Sequence, residues 1–139
     1  MRLLKLAIVC VVSWLIGVAV YLSSLYLLYG QTAGRADLLA VLFWSFVASL
    51  FAFALIYLPV MFLLRRLLRG DKPAAAFPAA ASLVFVLPTA FILGMSSTDG
   101  SGLLNSLASP EAVLFYCTFV AVGASFGLGF VWYSRKAAI

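Results

Sequence analysis

Apolar positions in this chain form four long runs, residues 6–29, 38–64, 77–95 and 111–133, uncharged except for Glu111 at the start of the last. Short polar connectors separate them. A helix rises 1.5 Å per residue, so a run of about 20 apolar residues crosses a hydrocarbon core about 30 Å thick. Each run meets or approaches that length, and none shows the strict alternation of a half-buried strand. The pattern predicts four transmembrane helices in a single domain spanning residues 1–139.

Punctuation residues refine the picture. Gly30 and Gly34 in the first connector suit a tight turn, and Asp37 is predicted to cap the second helix. The second run is longer than a bilayer needs, so it must tilt, bend at Pro59 or extend into the headgroups. Pro78 falls in the first turn of the third helix, where a missing donor is harmless. Pro88 falls inside it and frees the carbonyl of Val84, which predicts a kink. The Ser109-Pro110-Glu111 triplet supplies a capping hydroxyl, a first-turn proline and an acid beside the positive end of the dipole. It marks the start of the fourth helix. Trp132 and Tyr133 close that helix with aromatic rings at interfacial depth. The basic start with Arg2 and Lys5 resembles a signal-peptide leader, but a run of 24 residues exceeds the usual apolar region of about 7–15 and predicts a retained anchor.

Composition supports this class, since 66% hydrophobic and 9% charged residues with a mean hydropathy of +1.20 exceed what a soluble fold of this size can bury. The net charge of +5 changes meaning once its location is read. Eight of the nine basic residues, Arg2, Lys5, Arg65, Arg66, Arg69, Lys72, Arg135 and Lys136, fall at the N-terminus, the middle connector and the C-terminus. Arg35 alone lies on the opposite side, with Asp37, Asp99 and Glu111. By the positive-inside rule both termini are cytoplasmic. The charge is therefore a topology determinant and does not point to nucleic acid. The expected fold is all-α, an integral membrane four-helix bundle of two antiparallel hairpins, N-in and C-in, in a membrane such as the bacterial inner membrane.

Candidate chemistry is sparse. There is no histidine, the two cysteines, Cys10 and Cys117, lie toward opposite leaflets, and no ionisable side chain stands inside a span beyond Glu111 at its edge. The expectation is no catalytic residue, no metal and no cofactor. Arg65, Arg66, Arg69 and Lys72 form a basic cluster suited to anionic lipid headgroups or a partner. Gly123 and Gly127 lie one turn apart on one helix face, as do Ser45 and Ser49, and such small residues let helices approach closely in lipid. The serines are read as partners of the glycine row.

Two four-span classes differ from the chain in their residues. Small multidrug exporters carry an acid within the first helix, and small fluoride channels carry polar and glycine motifs; neither feature occurs here. Function is expected to be non-catalytic, an accessory, assembly or scaffolding subunit working with another membrane protein or with itself. A small transporter or channel for a neutral or lipid-like substrate is the alternative. An interfacial enzyme using Glu111 and Asp99 is third.

Overall fold

The computed structural model describes residues 2–32, 34–67, 75–84, 86–96 and 107–135, and every regular element among them is helical. The first span is α1 (Arg2–Tyr29). The second comprises α2 (Arg35–Ala52), a π turn (Phe53–Tyr57) and α3 (Leu58–Leu67). The third is broken into α4 (Ala76–Leu83) and α5 (Val86–Ser96), and the fourth is α6 (Pro110–Arg135). All four are long and apolar enough to cross a membrane, as Leu3–Tyr29, Arg35–Leu67, Ala76–Met95 and Ala112–Tyr133. This is a multi-pass membrane protein.

Local chemistry explains where the elements begin and break. Gly30 ends α1 with φ of 63°, a left-handed conformation that glycine adopts without penalty, and its N–H donates to the Tyr26 carbonyl at 2.8 Å. Asp37 is not the cap of α2. Gly34 takes that place in an extended conformation, its carbonyl accepting from Leu38 N–H at 2.8 Å, and Asp37 sits inside the first turn. A carboxylate there still faces the positive end of the dipole.

Pro59 deforms the second span upstream of itself. It has no N–H to give and its ring crowds the preceding turn, so the helix widens at Phe53–Tyr57, where Leu58 N–H reaches back five residues to Phe53. Pro88 acts similarly on the third span. The freed Val84 carbonyl accepts instead from Leu87 N–H at 3.1 Å, and the helix breaks between Leu83 and Val86. At the start of α6, Ala112 N–H lies 3.3 Å from the Ser109 hydroxyl and 3.0 Å from its carbonyl.

The core is organised around α6, which packs chiefly against α1 and α4. Val9, Phe53, Tyr57, Met61, Ala81, Val122, Phe126 and Phe130 form its buried cluster. The second span reaches this cluster only through its later half. Phe53 stacks on Phe126 at 5.0 Å between centroids, and Phe62 meets Phe130 edge-on at 5.8 Å. Its earlier half touches α1 sparsely, chiefly where Trp14 and Phe46 meet edge-on at 5.2 Å.

Candidate functional site

Three features distinguish the bundle, and the first is the glycine face of α6. A Cβ built on Gly123 would lie 2.7 Å from the Ala81 carbonyl carbon and 2.9 Å from the Ser82 Cα. One on Gly127 would lie 2.6 Å from the Pro78 nitrogen and 2.8 Å from the Phe77 carbonyl carbon. Both neighbours are backbone, which cannot rotate aside. These two glycines therefore seat α6 on α4, with Pro78 and Ala81 as the residues opposite. The Ser82 hydroxyl adds a bond to the Val120 carbonyl at 3.4 Å.

Ser45 and Ser49 do not serve this contact. The Ser45 hydroxyl accepts from Trp14 Nε1 at 3.1 Å and donates to the Leu42 carbonyl at 3.3 Å, joining α2 to α1. Ser49 donates to its own helix at Phe46, 2.8 Å away. Two further close approaches involve side chains: Gly17 of α1, four residues after Ser13, receives the Val122 side chain, and a Cβ on Gly129 would lie 2.5 Å from Val9 Cγ1. Val122 is thus a knob in a glycine notch.

The second feature is a cavity of about 680 Å³ between the second span and the other three. Its walls come from all four spans, with Trp14, Gly17 and Tyr21 on α1, Trp44, Ala48 and Leu55 on the second span, Pro88 and Phe91 on α5, and Phe115 and Phe119 on α6. No lining residue is charged. The Ser45, Ser49 and Thr118 hydroxyls in its wall donate to carbonyls of their own helices. The cavity is open at the side, since Trp44, Phe51, Leu55 and Phe91 in its wall are each more than 60% exposed, and in a bilayer such an opening faces hydrocarbon. Its volume falls in the range of about 300–1,000 Å³ typical of small-molecule sites.

The buried Tyr57, 1% exposed, is also part of this wall, and its hydroxyl has no hydrogen-bond partner among the described residues. Its ring lies 5.6 Å from Phe53 and 5.7 Å from Phe126. Sequence reasoning missed both features, because a void and an orphaned hydroxyl depend on which helices diverge.

The third feature lies farther along the second span, toward its end. A groove of about 610 Å³ is lined by Pro59, Phe62, Leu63, Arg65 and Arg66. Both arginines are exposed at the end of α3. Arg69 and Lys72, the other members of the basic cluster, lie outside the described residues, as does Asp99. Glu111 opens α6 in its first turn. Lys5 adds a cation beside the opposite, C-terminal end of α6, 5.9 Å from the Trp132 ring.

No family model, curated protein or solved structure matches this chain. Among the described residues no group of three or more histidine, cysteine, aspartate or glutamate side chains is placed to hold a metal, and both cysteines are free thiols. The arrangement is suited to holding apolar matter beside a cationic rim.

Proposed function

We propose that this protein binds a lipid-like molecule within the membrane and acts as a small carrier for it. The cavity carries this reading: it is uncharged, its serine and threonine hydroxyls are engaged with helix backbone, and it lies among spans that lipid surrounds. Composition alone favoured an accessory subunit. A wide apolar recess between helices, open at its side, shifts the balance, since packed bundles leave few spaces larger than a water molecule. Binding is tested by delipidating the purified protein and adding back a diazirine-bearing fatty acyl lipid. Crosslinks on Gly17, Phe115 or Thr118, which line the cavity and are at least half-buried, support the reading, and crosslinks confined to the outward faces of the bundle sink it.

An accessory or assembly role is the second reading, favoured by the outer half of the second span, where Phe43, Trp44 and Phe51 are each more than 60% exposed. In lipid such a face needs no cover, yet it offers aromatic anchors to a neighbouring helix. Mild detergent purification with mass spectrometry of co-purifying chains tests it. A stoichiometric partner would move the function from carrier to subunit.

The bundle is proposed to be two antiparallel hairpins with both termini in the cytoplasm, in a bacterial inner membrane. Contact pairs support the pairing sense: Val9 meets Gly129 while Gly17 meets Val122, and Pro78 meets Gly127 while Ala81 meets Gly123. Charge supports the orientation. Single cysteines at Gln31 and Ser101, in a background lacking Cys10 and Cys117, are expected to react with an impermeant thiol reagent in intact cells. Cysteines at Lys72 and Ala138 are expected to stay unlabelled until the cells are broken, and the reverse result would invert the topology.

A further inference from the structure

The cavity and the basic groove occupy successive stretches of one helix. Ala48, Phe51 and Leu55 line the cavity, and Pro59, Phe62 and Arg66 line the groove, following one another at spacings of three or four residues. Together they form a strip running from the middle of the bundle to its cationic end. Leu55 and Arg66 are eleven residues apart, or about 16 Å along a helix. One leaflet of hydrocarbon is about 15 Å deep, half of a core about 30 Å thick. A lipid whose headgroup sits at Arg66 therefore brings its chain to the level where the cavity begins.

We infer that the strip is a binding site for an anionic glycerophospholipid, with its phosphate on Arg65 and Arg66, one chain along Pro59 and Phe62, and the chain end in the cavity. The inference rests on the proposed lipid-binding function and names its ligand class. Charge complementarity fixes the headgroup. Arginine guanidinium presents several donors in a planar fork that matches phosphate oxygens, and two such groups stand side by side in sequence at the end of the groove. The cavity fixes the tail. With its serine and threonine hydroxyls turned to helix carbonyls and no charge in its wall, it accepts hydrocarbon and excludes a polar substrate. The π turn lies between the two stretches, and its wider coil sits where the chain passes from groove to cavity. Free phosphate would satisfy the arginines alone and leave the apolar part of the strip empty.

Trp14, half-buried in the cavity wall, is an internal reporter. The test uses the full chain with Trp44→Phe and Trp132→Phe, so that Trp14 alone fluoresces, in vesicles of unlabelled zwitterionic lipid. Phospholipids brominated in the outer half of the chain quench tryptophan on contact, and they are titrated in with either a phosphoglycerol or a phosphocholine headgroup. The expected result is saturable quenching of Trp14 by the anionic lipid at a mole fraction on the order of tenfold lower than for the zwitterionic one, as two arginines beside a headgroup imply. Arg65→Gln with Arg66→Gln is expected to bring the two curves together. Saturable quenching with identical curves for both headgroups in the arginine-containing protein would overturn the phospholipid assignment and leave the cavity as a general chain site. Absence of saturable quenching by either lipid would overturn this inference and the proposed function together.

Discussion

The second and fourth spans are both apolar helices, yet the fold treats them oppositely. Only 6% of the most apolar window of the second span is buried within the bundle, against 33% for the fourth, although the second is the more apolar. In water that order would be reversed, because burial follows the apolar area removed from solvent. In lipid, hydrocarbon surrounds every helix, and dispersion contacts at short range decide which faces meet. The fourth span offers Gly123, Gly127 and Gly129, and other helices come within backbone distance at each of the first two. The second offers Phe43, Trp44, Phe46 and Phe51 over its first half. It has no glycine at which another helix could come as close.

The sharpest way to break this comparison is to fill the glycine face. Gly127→Leu is expected to destabilise the bundle by about 3 kcal/mol or more, since the added side chain meets Phe77 and Pro78 backbone that cannot retract. Thermal melting in detergent reads it, and an unchanged midpoint would mean that α4 and α6 separate without loss. Ala48→Leu in the second span, projecting toward the cavity, is expected to stay within about 0.5 kcal/mol of the parent.

Removing an aromatic ring sharpens the contrast from the other side. Phe126 is fully buried beneath Phe53 and Tyr57, and Phe126→Ala is expected to lose about 3 kcal/mol. Phe51→Ala removes a ring that is 63% exposed, so its melting midpoint should barely move. Equal losses at the two positions would show that the second span is held as firmly as the fourth.

Smaller effects are expected where the two regions communicate. The Trp14–Ser45 bond is the direct polar tie between α1 and α2, and such bonds in membranes average about 0.6 kcal/mol. A double-mutant cycle with Trp14→Phe and Ser45→Ala should return a coupling of that size. A coupling indistinguishable from zero would leave α2 attached by ring contacts alone.

What was legible in the chain was whatever depends on neighbours in sequence. The four apolar runs, the break upstream of Pro88 and the Ser109-Pro110 start are all set within one or two turns, whereas the second span left tilt, a bend at Pro59 and extension into the headgroups all open. The capping of α2 was misjudged because Gly34 and Asp37 both suit a helix start, and the extended backbone at Gly34 decides between them. Pairing of faces was less legible. Small residues at four-residue spacing declare that a helix can be approached but do not name what approaches, so Ser45 and Ser49 were matched to the glycines on spacing alone. Phe77 to Ala81, with its proline and three alanines, was the better partner and was overlooked as a mere helix start. Arg65 and Arg66 were visible as charge, but the groove beside them required three dimensions.

The widened turn at Phe53–Tyr57 carries a consequence for how this sequence tolerates length changes. An added residue in a helix is commonly absorbed as one such turn, and each residue advances the surface by about 100°. Deleting Ala54 would let the coil close to regular α geometry, but Phe43 to Phe51 would then swing about a quarter of a circle relative to Phe62 and Arg66. The turn sets the phase between the stretch lined by Ala48 and Phe51 and the stretch lined by Phe62 and Arg66. A length change there would turn the two stretches out of line while leaving the residues of each intact.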